Sequence, residues 1–368
     1  MADRTARRPG PGDAWAAAVD RVPPSASSFV MASGIVATCL WQQDLVVLSS
    51  ALLVIAIAGL VAIVVVQATR LACRPAAALR DAREPGRAFG YLTIAAALDV
   101  VITALASHGV RTVASGLLVL AAALWLVLTY AIPAVLVLRT TKAPSPSDVD
   151  GSWLLWVVGA QSLSIAVTAA GTGSATATAT LGVALWSAGT VLYVVLTAIV
   201  LSRLLTAPNT EQTITPSYWI LTGATAISVL AAVHVLSLPA GPRILGATEE
   251  FVSGTAIALW AFGTWWLPLL IIFGLWRYLI HHHPVRYETG LWSVVFPLGT
   301  YATASTALGD TLDLPFLRTT GTVTTAIATV AWIATTALML TAAVTWLRGR
   351  TADDRGRPTA WSDGSDPR

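Results

Sequence analysis

Long apolar stretches run through this chain and leave it few ways to fold. Ten of them, at about 27–42, 46–72, 90–107, 113–138, 152–171, 180–205, 217–237, 254–280, 290–308 and 321–347, are separated by short polar gaps. About 20 apolar residues cross the hydrocarbon core of a bilayer as a helix. Backbone in lipid must satisfy its own hydrogen bonds, which a helix does. Charged residues make up only 11% of the chain, against about 25% in an ordinary soluble domain. The expected fold is therefore an all-α polytopic membrane protein, and a soluble enzyme is excluded. Residues 27–347 form the membrane domain, with a polar N-terminal tail at 1–26 and a disordered C-terminal tail at 348–368.

The basic residues set the orientation. With the N-terminus in the cytoplasm, 19 of the 22 Lys and Arg fall in inside segments, and only Arg111, Arg243 and Arg318 fall outside. Such an excess marks the cytoplasmic face. It supports an even number of spans with both termini cytoplasmic; a bacterial plasma (inner) membrane is the expected location. The region before the first apolar run is too long for a usual signal-peptide n-region, and no clear cleavage site follows it.

The spans alternate in character. Odd spans are short and rich in Gly, Ala, Ser and Thr; even spans are longer and greasier. An aromatic residue opens each odd span, Phe29, Tyr91, Trp153, Trp219 and Trp292, at spacings of 62, 62, 66 and 73. This is the pattern of five helical hairpins in parallel repetition. Small and polar side chains gain little against lipid, whereas long apolar helices tolerate it. Five odd helices then form an inner ring and five even helices an outer one. A small-residue ring leaves room for a central pore; a solid bundle using the same residues for close packing is the alternative.

Few residues carry chemistry. Asp99 is the one carboxylate well inside a span, where a charge costs at least ~2.5–3.5 kcal/mol. It reads as a proton site or pore-lining charge, or as a neutral Asp bonded to a neighbouring helix. Gln161, Ser164 and Thr168 share a face of the fifth span at i, i+3 and i+7. They suit a released anion as neutral donors, or serve as interhelical glue. In the ninth span, Pro297 removes a helical N–H and kinks the helix. Phe296, Thr300 and Thr303 then share a face on which the ring could plug a narrow passage, although a plain core Phe is the commoner outcome. Pro133 and Pro268 are further kinks, each eight residues after a Trp (Trp125, Trp260). His234, near the end of the seventh span, reads as structural. Consecutive His281, His282 and His283 point in different directions on a helix and read as an interfacial positive flank rather than a metal site. No Walker loop, HExxH helix or GxSxG elbow is present. No enzyme activity, cofactor, metal or nucleic-acid partner is expected.

The segments Phe29–Thr38 (FVMASGIVAT), Leu291–Gly309 (LWSVVFPLGTYATASTALG) and Trp260–Pro268 resemble the tellurite-resistance/C4-dicarboxylate transporter family. That family takes in bacterial tellurite-resistance channel homologues, fungal malate permeases, sulfite-efflux pumps and plant slow anion channels. The hairpin layout matches along roughly residues 25–350. The resemblance implies ten helices around a central pore, commonly in a homotrimer, and a phenylalanine gate on the ninth helix at the position of Phe296. It implies a small anionic solute: a C4-dicarboxylate, sulfite, tellurite or an inorganic anion. Gly34 falls in the opening motif and counts with the pore-lining candidates. Ala32-Ser33 stands where the permeases usually have Gly-Thr, so a substrate does not carry over. Proline follows Phe296 as in the permease and efflux-pump branch. Proton coupling through Asp99 is an inference from the residue alone. The competing class is a non-transporting membrane sensor or assembly scaffold, which requires a fully packed ring.

Overall fold

The computed structural model describes residues 19–20, 22–138, 148–239 and 241–355. Most of the expected tails, and the inside charges Arg139 and Lys142, lie outside the described residues. Ten long helices appear: α1 (Ser28–Gln42), α2 (Val46–Cys73), α3 (Leu92–Ser107), α4 (Arg111–Leu138), α5 (Leu155–Ala170), α6 (Ala175–Thr206), α7 (Ile220–Leu236), α8 (Arg243–Leu275), α9 (Trp292–Thr311) and α10 (Pro315–Arg355). Nine of the described spans are long and apolar enough to cross a membrane. The exception is α9, which has 20 residues but carries Pro297, Gly299 and a series of Thr and Ser that dilute its hydropathy. The count of ten crossing helices thus rests on length alone at α9.

Boundaries shift most at two even helices. α8 begins at Arg243 rather than near 254, and α10 at Pro315 rather than near 321. Glu249 and Glu250 interrupt the apolar run, yet both side chains are exposed and glutamate is a good helix former, so the helix runs through them. Proline at the first helical position is equally compatible, since its missing N–H would have had no partner. α10 also continues to Arg355, past the expected end at 347.

Each odd helix is led in by a tight 3₁₀ turn: Pro24–Ser27, Phe89–Tyr91, Gly151–Leu154, Pro216–Trp219 and Thr289–Leu291. This fivefold recurrence is the structural counterpart of the aromatic repeat. The odd helices pack in a closed circle, α1 on α3, α3 on α5, α5 on α7, α7 on α9, and α9 back on α1. Phe29 meets Trp292 edge-on at 5.1 Å where the circle closes.

Between 72% and 83% of the residues are buried in the best apolar windows of α1, α3, α5 and α7, against 11% to 39% in the even helices. The even helices form the outer layer, and their exposed Val47, Val119, Val137, Leu205, Phe251 and Val330 present an apolar surface to lipid. Outer helices also clamp the next inner helix by indole hydrogen bonds. Trp186 donates to the Ser228 carbonyl at 3.0 Å, Trp260 to Ser305 at 2.9 Å, and Trp332 to Ser33 at 2.9 Å. The last of these ties α10 to α1 and locks the circle. A buried indole N–H needs such a partner.

Small residues set the inner spacing. A Cβ on Gly34 would sit 2.6 Å from Val100 of α3, and one on Gly299 would sit 2.7 Å from Ile35 of α1. At Gly223 a Cβ would lie 2.8 Å from the Pro297 ring. Gly223→Ala should therefore push α7 from α9 and cost about 1–3 kcal/mol, the usual penalty of overpacking. Thermal unfolding in detergent measures it. A double-mutant cycle with Pro297→Ala should recover part of the loss, because removing the ring removes the clash.

At the N-terminal end of the inner ring, Asp150 caps the turn into α5. Its Oδ1 accepts from the Ser152 amide at 2.9 Å, and its Oδ2 from Ser217 at 3.5 Å. Burial pushes the Asp150 carboxyl above its ordinary 3.8, and the hydrogen bonds from Ser152 and Ser217 only partly oppose this. The folded state thus holds the proton more tightly than the unfolded one. The contribution is fully present below the unfolded pKa and is lost as pH rises through the native value. Thermal stability should fall on that acidic limb, and Asp150→Asn should flatten the slope.

Candidate functional site

A cavity of about 210 Å³ lies inside the ring, walled by all five odd helices. Its wall is drawn from their C-terminal halves: Ile35, Thr38, Trp41 and Gln42 of α1; Asp99, Val100, Thr103 and Ser107 of α3; Ser162 and Ile165 of α5; Ile227, Leu230, Val233 and His234 of α7; Thr303 and Ala307 of α9. That all five contribute the same half requires them to run parallel, as hairpin repetition demands. Ser107 and Ser237, both exposed, form the rim.

Asp99 is fully buried at the inner part of this wall. Its Oδ2 accepts from Ser162 at 3.0 Å, while Oδ1 has no partner. The hydroxyls around it are already committed. Thr38 donates to the Gly34 carbonyl at 3.0 Å, Thr103 to the Asp99 carbonyl at 2.9 Å, and Thr303 to the Gly299 carbonyl at 3.0 Å. Each hydroxyl owns one hydrogen, so in this arrangement these three turn lone pairs rather than donors toward the cavity. Trp41, Gln42 and His234 add an indole, an amide and an imidazole nearer the rim. The Trp41 ring packs against His108 at a tilt of 41°, with centroids 4.2 Å apart.

The other candidates are placed as follows. Thr303 fronts the cavity and also contacts the buried Cys39 sulfur at 3.1 Å. Thr300 is buried and donates to the Phe296 carbonyl at 2.8 Å. Phe296 is 3% exposed and forms no part of the cavity wall. It stands seven residues before Thr303, roughly 10 Å along the helix at 1.5 Å per residue, on the same face. Gly34 faces Val100 on the α1–α3 seam.

Gln161, Ser164 and Thr168 turn away from the cavity. The Gln161 amide donates to the Trp186 carbonyl of α6 at 3.1 Å, and Ser164 to the Gly182 carbonyl at 2.8 Å. Thr168 bonds back to its own helix at Ser164. On α5 it is Ser162 and Ile165 that face the axis. Pro133, Pro268 and Pro297 all lie inside continuous helices.

Sequence reasoning passed over Ser162, Thr103, Thr38, Trp41, Gln42 and His234 as wall residues. A signal was present for some of them. Asp99, Thr103 and Ser107 recur every fourth residue, and Thr38 stands three after Ile35, so each set shares one helical face. The His281–His283 run splits three ways: His281 lies on the Trp276 ring at 4.0 Å, His282 takes a left-handed φ of 50°, and His283 meets Arg277.

Residues 21–340 match the family model described as voltage-dependent anion channel. The chain is 39% identical over 149 residues to an uncharacterized membrane protein of Mycobacterium tuberculosis, covering 40% of this chain and 75% of that protein. It is 30% identical over 123 residues to an uncharacterized transporter of Methanocaldococcus jannaschii, covering 33% of this chain and 34% of that one. A second transporter of that archaeon is 28% identical over 120 residues, 33% of each chain. With nearly its whole length matched, the chain belongs to the voltage-dependent anion channel family.

Proposed function

We propose that this protein conducts small anions along the axis of the inner ring, past a constriction at Phe296, with protonation of Asp99 setting whether the anion is admitted. The observation that carries the reading is the 210 Å³ cavity walled by all five inner helices, with Asp99 on its wall. A scaffold needs no such space, and every residue that lines it comes from the helices shielded from lipid. The family supplies the solute class: a C4-dicarboxylate, sulfite, tellurite or an inorganic anion.

The chemistry favours a protonated Asp99 during occupancy. An ionised carboxylate and an anion a few ångströms apart repel by several kcal/mol in a partly desolvated site. A proton on Oδ1, the oxygen without a partner, removes the charge. It also supplies a donor in a wall whose hydroxyls are otherwise committed. Release of that proton expels the anion. Phe296 then acts as an apolar constriction that excludes water when closed. The basic excess at one end of the bundle supports placing the cavity's rim outside and both termini inside. A homotrimer follows from the family resemblance.

Anion flux into liposomes containing the purified protein tests the proposal. Malate, sulfite, nitrate and chloride are compared with and without a pH gradient. Flux of at least one of them is expected, and it should respond to the gradient. No flux of any of the four from protein bearing the opened Phe296→Ala gate would overturn the transport reading.

A further inference from the structure

The axial cavity has many polar side chains and few free donors. Besides the threonines of its wall, Ser107 donates to the Thr103 carbonyl at 3.1 Å, Ser237 to the Val233 carbonyl at 2.8 Å, and Ser162 to Asp99. One hydrogen of the Gln42 amide goes to the Thr303 carbonyl at 3.4 Å. A hydroxyl spent on a carbonyl offers an anion only its lone pairs. His234 is different. It is half-buried in the wall, and neither ring nitrogen has a hydrogen-bond partner among the described residues. Both nitrogens keep accessible surface, and the cavity is the space the side chain borders. Imidazole carries at least one N–H, and with no partner fixing the tautomer either nitrogen can present it. A polar group so placed calls for water or a ligand.

Charge and depth add to this. No Lys or Arg lines the cavity, so His234 is the one wall side chain able to turn cationic. The other titratable group of the wall is Asp99, whose charge has the opposite sign. The deeper share of the wall from α7, Ile227, Leu230 and Val233, is apolar, and low local polarity strengthens a hydrogen bond. His234 stands three residues before Ser237 at the rim, and Asp99 eight before Ser107. At 1.5 Å per residue, His234 is roughly 7 Å nearer the rim than Asp99.

We infer that His234 is an outer binding station for the small anion, taking it by the ring N–H before it reaches Asp99. The assignment deepens the transport reading and rests on it for the order of events; binding at His234 has its own readout.

Bromide, which is located directly by its anomalous scattering, is the probe for binding. Crystals of the full chain grown in bromide should show a peak within hydrogen-bond distance of a His234 ring nitrogen. His234→Leu leaves no other group without a partner and should remove the peak; His234→Gln, which restores an N–H, should recover it in part. Flux in liposomes is then measured for whichever of malate, sulfite, nitrate and chloride is carried fastest. His234→Leu should raise the half-saturating concentration about tenfold, the worth of one hydrogen bond to a charge, and His234→Gln should return it towards the native value. A native crystal with no anomalous signal at His234 would overturn the station, as would a peak of equal height in His234→Leu. Flux with native half-saturation in His234→Leu would overturn the station and keep the transport reading. A bromide peak on His234 without flux from Phe296→Ala protein would do the reverse.

Discussion

Phe296→Ala should raise anion flux in liposomes by about tenfold or more, the equivalent of removing some 1.4 kcal/mol from the barrier. The expectation comes from position. Phe296 shares a face of α9 with Thr303, which borders the axial cavity, and lies about 10 Å further along the helix. Its ring is buried and is absent from the cavity wall. An apolar side chain in that position blocks a passage by excluding the water an anion carries with it. Truncating a buried Phe also costs about 3–5 kcal/mol of stability, so flux must be normalised to folded protein. Phe296→Leu retains most of the packing and should give an intermediate rate. Flux that is unchanged or lower in both variants, with the fold intact, would sink the gate.

Asp99→Asn should eliminate the part of the flux that a pH gradient drives, while leaving uncoupled flux in place. The substitution is nearly isosteric, and the side-chain carbonyl can still accept from Ser162, which donates to Asp99 Oδ2 at 3.0 Å. What it removes is the capacity to take up and give back a proton on the oxygen that has no protein partner. Ser162→Ala should act in the same assay with a smaller effect, since it frees the second oxygen without altering the titrating group. A gradient response of native size in Asp99→Asn would exclude proton coupling at this residue.

Much of the layering was legible before any coordinates. The aromatic spacing of 62 to 73 residues marked the hairpins, and each proved to start with a tight turn. The contrast between small-residue and greasy spans marked inner and outer helices. The ends of α8 and α10 were less legible, because Glu249, Glu250 and Pro315 look like breaks in an apolar run, whereas glutamate continues a helix and proline suits its first position. On α5 two polar sets compete, Gln161 with Ser164 and Thr168, and Ser162 alone. The longer stripe was the more conspicuous, and it faces α6.

Hairpin order and the inner or outer place of each helix follow from side-chain size and hydropathy, which are properties each residue carries into lipid regardless of its neighbours. Which face an inner helix turns to the axis does not. α3, α5 and α7 are buried on nearly every side, so no solvent-facing stripe betrays their rotation. The rotation is decided by where backbones can approach, at Gly34 against Val100, Gly223 against Pro297 and Gly299 against Ile35. It is decided also by which carbonyls of an outer helix come within reach of Gln161 and Ser164. Those are pairwise contacts between distant segments, and only the packed structure settles them: it brings Asp99 and Ser162 together at the axis and sends Gln161 to the seam.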